Sequence, residues 1–176
     1  MEALRYPLGR FAPPVLIAPE ALQVAIAQIA EFPDHLQVLM QNITPPDWQK
    51  NYRPGGWTLL QVVHHCADSH SQAFTRFKLA LTEDQPIIKP YAEAQWAEGP
   101  DYETEAQHSW LILQGLHPRW ARLLQHISAS EWERAYFHPE MQRLVSLAEA
   151  ALLYAWHGRH HLMHIANALN MRPPWN

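Results

Sequence analysis

Two histidine clusters carry the chemistry legible in this chain: His64 and His65 followed by His70, and His157, His160, His161 and His164 within the stretch WHGRHHLMHI. Neutral imidazole is a ligand for zinc, nickel, cobalt or iron, so a divalent-metal site is the first reading. On a helix, His157 and His161 stand four residues apart, one turn above the other on one face, within reach of a single ion. His160 and His164 share that spacing on a face rotated by one position, and spacing alone does not choose between the pairs. Helical phase favours His157 and His161, because with Leu153 and Ile165 they continue the core-facing stripe, while His160 lies off it and His164 at its edge. A third ligand must come from a neighbouring helix. His64 and His65 flank the buried stripe of Leu59, Val63, Cys66 and His70 on either side, and the choice between them stays open.

Gly158 follows His157, so the H-E-x-x-H pattern with its built-in glutamate base is absent. Three protein ligands leave one coordination position free, the arrangement of a catalytic metal, where a metal-activated water or a metal-bound thiolate would be the nucleophile. Asp68, one turn after His64 and three residues after His65, is a candidate to orient a ligand imidazole; the alternative is a solvated carboxylate. Cys66 sits on the apolar stripe and reads as a packed core residue rather than a reactive thiol. His70, on the same stripe, reads equally as a buried histidine bonded to a carbonyl or as a functional one. His138, beside Pro139, reads as a turn residue. Trp57, Trp96, Trp120 and Trp156 would either line an apolar cavity or fill the core.

Four long helices have to position these groups. Leu22, Ile26, Ile29, Leu36, Met40 and Ile43 mark the first, from about Pro19 to about Asn42, with Pro33 inside it and no change of phase. The Pro- and Gly-rich ITPPDWQKNYRPGGW is a connector, and Thr58 caps a second helix ending near Thr82. The stretch from Glu83 to Glu103 has no period and is a long crossover, a candidate pocket wall. Leu113, Leu116, Trp120, Leu123 and Ile127 mark the third helix across Pro118, and AYFHPEMQRLVS reads as a small hairpin. Ser146 and Glu149 form a capping box for the fourth, which runs to about Asn170.

At 176 residues and 48% hydrophobic content, the chain suits one domain with a real core. Its 13 dispersed Lys and Arg against 17 Asp and Glu exclude the basic footprint of a nucleic-acid binder. The amino terminus lacks a signal-peptide core, and no apolar run approaches the roughly 18 residues of a membrane helix, so a soluble cytoplasmic protein is expected. One cysteine excludes an intramolecular disulfide. Eight tryptophans with only 17% charged residues point either to a surface covered by a second copy or to an aromatic core.

Six segments occur in order along nearly the whole chain: YPLG from Tyr6, YRPGGWT from Tyr52, VVHHCADSH from Val62, RFKLALTE from Arg76, FHP from Phe137, and YAWHGRHHLMHI from Tyr154. Together they resemble the YfiT subgroup of the DinB-like superfamily. The resemblance implies an all-α, up-down-down-up four-helix bundle, usually dimeric, with a divalent metal held by three histidines from helices two and four. It points to His65, directly before the x-A-D segment, and to the pair His157 and His161. The position before Ala67, commonly leucine in the family, is here Cys66, which keeps an apolar-sized side chain. The resemblance also implies a metal-dependent hydrolase, while related DinB-like proteins are thiol S-transferases that use bacillithiol or mycothiol. The expectation is thus one domain over residues 1–176, acting as a cytoplasmic homodimer with one divalent ion per chain, zinc or nickel foremost, on a small-molecule substrate. A thiol S-transferase and a non-catalytic metal-binding stress protein are the alternatives.

Overall fold

The computed structural model describes residues 2–175. Four long helices carry it: α1 (Pro19–Met40), α2 (Leu59–Thr82), α3 (Ala106–Leu124) and α4 (Leu147–Ala168). Local chemistry sets their ends. Pro19 opens α1, where its missing N–H costs nothing. Thr58 and Gln61 form a reciprocal capping box on α2. Ser146 accepts from the Glu149 amide at the start of α4. The other half of the box expected there is absent, because the Glu149 carboxylate pairs instead with Arg143. α1 ends two residues before Asn42, and α4 stops short of Asn170, whose φ of 54° is left-handed. Pro33 and Pro118 both lie inside continuous helices.

Inter-helix hydrogen bonds define the topology. His64 meets Ser109 and His70 meets His117, so α2 and α3 run parallel. His117 meets the Ile29 carbonyl and Trp110 the Pro33 carbonyl, so α1 and α3 are antiparallel. His65 meets His157 and Arg76 meets Tyr154, so α2 and α4 are antiparallel. The bundle is therefore up-down-down-up. Parallel neighbours need a long connection, supplied by the stretch between α2 and α3 with short helical turns at Glu93–Trp96 and Pro100–Glu103. Between α3 and α4 lies a hairpin of β1 (Ala135–His138) and β2 (Arg143–Ser146), with Ala135 opposite Ser146 and His138 opposite Arg143. The crossover is tied to β1 through Ile88 and Phe137.

The core divides into two apolar clusters at the same height in every helix. One holds Ile26 and Ile29 of α1, Ala73 and Phe77 of α2, Trp120 of α3, and Ala151 and Ala155 of α4. The other holds Phe32 and Leu36, Val62 and Cys66, Trp110 and Leu113, and Leu162 and Ile165. His70, His117, His157 and His161 fall between them, a polar layer inside an apolar bundle. Gly158 admits α1 to this layer: a Cβ there would lie 2.9 Å from the Phe32 ring.

Candidate metal centre

His65, near the start of α2, and His157 and His161, one turn apart on α4, face one another across the antiparallel helix pair. Each offers a ring nitrogen, and these nitrogens all lie within 4.8 Å of one another. Nε2 of His65 and Nε2 of His157 are 3.3 Å apart. Tetrahedral coordination with Zn–N of about 2.0–2.1 Å sets ligand nitrogens about 3.3–3.4 Å apart, so the spacing suits a metal ion.

The hydrogen bonds behind the ligands determine which nitrogen each presents. The Ile29 carbonyl can only accept, so Nδ1 of His117 donates to it. Nε2 of neutral His117 must then accept, and it does so from Nδ1 of His70 at 2.9 Å. Nε2 of His70 accepts in turn from Nδ1 of His157 at 3.1 Å. Nε2 of His157 is left with a free lone pair, pointing at His65. A second chain does the same for His161. Nε2 of His164 donates to the Arg5 carbonyl at 3.2 Å, and Nδ1 of His164 accepts from Nδ1 of His161 at 3.4 Å. Both α4 rings thus keep an unprotonated Nε2, each fixed by a chain of histidines that ends on a backbone carbonyl. His65 has no such partner: its Nδ1 is buried and unpaired, and packing against Trp57, ring centroids 4.6 Å apart, holds the ring.

Burial keeps these imidazoles neutral. It pushes His65 down to about 4, with nearby His160 adding to the effect, and His117 likewise to about 4. His157 and His161 fall well below the ordinary value through burial first and neighbouring histidines second. Lone pairs are therefore available to a cation at neutral pH without proton competition.

His64 and His65 point in different directions. His64 turns away to α3 and the crossover, bonding Ser109 Oγ at 2.6 Å and the Thr104 carbonyl at 3.1 Å. His160 stacks on Trp156 with centroids 4.5 Å apart, outside the triad. Asp68 does not orient a ligand. Its carboxylate accepts from Tyr102 Oη at 2.7 Å and bonds no imidazole of the triad, because Tyr102 of the crossover covers that flank of α2. The groups that hydrogen-bond the rings of His157 and His161 are His70, backed by His117, and His164. His70 was legible as a polar residue on an apolar stripe. His117 was missed because the stripe of α3 is Leu113, His117, Trp120 and Leu124, one position from the Leu116 and Leu123 register read from the sequence. Cys66 is fully packed, its thiol pushed up by burial. Trp120 is core beside His70 and His117, whereas Trp96 is exposed against Tyr91. No helix of the described residues is long and apolar enough to cross a membrane.

A family model described as the DinB superfamily matches residues 28–165. A Bacillus pumilus protein named "Putative metal-dependent hydrolase" is 41% identical over 176 residues, the full length of both chains. A Bacillus cereus protein of the same name is 43% identical over 175 residues, covering 99% of this chain and 100% of its own. Among solved structures, YfiT from Bacillus subtilis, described as a probable metal-dependent hydrolase with an unusual four-helix bundle topology, superposes with a TM-score of 0.91. It is 37% identical, and the match covers 97% of this chain and 99% of that one.

Proposed function

The chain belongs to the DinB superfamily, and from that premise we propose that it is a divalent-metal-dependent hydrolase of a small molecule, with the ion held by His65, His157 and His161. The observation that carries the reading is the convergence of the three rings, two of them with Nε2 left unprotonated by their hydrogen-bond chains. A divalent ion bound there would supply Lewis acidity, acidifying a water or polarising the bond to be cleaved. His70 and His117 hold His157 in register, and His164 holds His161. Phe32 packs against both rings of the first chain, its own ring 4.8 Å from that of His70 and 5.0 Å from that of His117. An all-nitrogen set of three suits zinc or nickel. The reading treats residues 1–176 as one domain, acting in the cytoplasm as a homodimer; exposed Val24, Val38, Leu111 and Ile112 on α1 and α3 support a covered face.

Metal analysis of the purified protein tests the site. One divalent ion per chain is expected, lost in His65→Ala, His157→Ala and His161→Ala and retained in His160→Ala. The reaction is tested with metal-loaded protein on an ester, amide, lactam and phosphoester panel. Turnover of none would remove the hydrolase reading. Conjugation of an electrophilic dye only in the presence of a low-molecular-weight thiol would reassign the protein as a thiol S-transferase.

A further inference from the structure

Beyond the histidine layer, towards the carboxyl end of α2, lies a buried cation that forms no ion pair among the described residues. Arg76 is 8% exposed. Its Nη1 donates to Tyr154 Oη at 3.2 Å, and its Nε is buried with no partner. Among the described residues the ion pairs join Arg10 to Glu2, Lys50 to Asp47 and Arg143 to Glu149, and none includes Arg76. Burying an unpaired guanidinium is costly, and retaining one calls for a partner that arrives from outside.

The surroundings repeat the pattern. Tyr91 Oη, beside Ser69 and Tyr154, and Nδ1 of His138, beside Arg76, are also buried without partners. Each can donate a hydrogen bond, and together with Arg76 they make a set of donors short of acceptors. Glu93 is near enough to feel Arg76, yet it forms no ion pair with it, and burial together with Glu140 pushes its carboxyl up towards the neutral form. A cluster of donors around a fixed positive charge is complementary to an oxyanion, not to a cation or an apolar group.

Position links this cluster to the candidate metal centre. Ser69 is one turn beyond His65 on α2, and Arg76 stands eleven residues from His65, back on the same face after about three turns. Side chains lean towards the helix amino terminus, which returns the guanidinium towards the histidines. On α4, Tyr154 is three residues before His157, with ring centroids 5.8 Å apart. One tyrosine therefore separates the unpaired cation from a candidate metal ligand.

We propose that Arg76, with Tyr154, Tyr91 and His138, binds a carboxylate or phosphate group of the substrate whose reactive bond lies at His65, His157 and His161. The location of the reactive bond rests on the hydrolase reading; the anion site does not. The experiment therefore uses metal-free protein in chelator at constant ionic strength, titrated with acetate and with inorganic phosphate and followed by melting temperature and calorimetry. Saturable stabilisation is expected in the wild type and in His157→Ala, with affinity about tenfold or more weaker in Arg76→Gln. The tighter of the two anions identifies the substrate group. Arg76→Lys, which keeps the charge, serves if the glutamine variant does not fold, and is expected to bind more weakly than wild type because the fork geometry is lost. With metal-loaded enzyme and any hydrolysed ester, the ratio of kcat/KM for a carboxylated over a matched neutral substrate is expected to fall by a similar factor in Arg76→Gln. Anion affinity equal in wild type and both Arg76 variants, or no saturable binding of either anion, overturns the proposal. Loss of hydrolysis with anion binding intact overturns only the hydrolase reading.

Discussion

At the scale of single residues, the centre depends on which ring nitrogens carry protons. The two chains ending on the Ile29 and Arg5 carbonyls require Nδ1–H on His157, His70, His117 and His161, and Nε2–H on His164. Nitrogen-15 histidine spectra of the metal-free protein at neutral pH are expected to show those tautomers, and a mixture at His157 or His161 would break the argument. Substitution tests the same point through affinity. His70→Leu removes the acceptor for the His157 proton and is expected to weaken metal binding about 10–100-fold. His70→Gln, whose amide oxygen can accept in its place, is expected to recover much of the loss. Equal losses in the two variants would reduce His70 to a packing residue.

At the scale of elements, Pro33 connects the backbone of α1 to the candidate metal centre. A helix pairs the carbonyl of residue 29 with the amide of residue 33, but proline has no N–H, so the Ile29 carbonyl is left free for His117. Pro33→Ala restores the competing donor. Since proline in a helix interior costs about 3 kcal/mol, the variant is expected to melt no lower than wild type while binding metal more weakly. Unchanged affinity would cut the link between α1 and the site. The sequence displayed the proline and the unbroken phase around it, but not the use of the freed carbonyl, because His117 lies 88 residues from Ile29. The start of α2 was legible because its cap, Thr58, is local; the structure adds Gln61 as the other half of the box. The faces of α2 and α4 that bring His65, His157 and His161 together were expected from periodicity and resemblance. The bond of Asp68 to Tyr102 was open in the sequence for the same reason that His117 was missed: such pairings depend on which segment lies alongside, and helical spacing within one element does not encode that.

At the scale of the whole molecule, the histidine layer makes stability depend on pH well above the carboxylate range. His64, His65, His70, His117, His138, His157, His160, His161 and His164 are all shifted below the ordinary histidine value by burial. Above the unfolded value of about 6.5 neither state binds these protons, and stability is flat. As pH falls below it the unfolded chain takes up protons that the folded chain refuses. Each fully buried histidine then removes up to about 1.4 kcal/mol per pH unit until its folded value, about 4 for His65 and His117, is reached. The melting temperature of the metal-free protein is expected to hold above pH 7 and fall steeply between about 6.5 and 4. A curve level down to pH 5 would contradict the burial of the layer.

The separation of the ligands along the chain has a further consequence. His65 and His157 are 92 residues apart, and the single cysteine provides no covalent link between distant segments. An ion shared by the two helices would act as a removable cross-link on a loop of that length, for which a permanent bond would restrict the unfolded chain by roughly 4–5 kcal/mol. Unlike a disulfide, this link ignores redox conditions and opens to acid or a chelator.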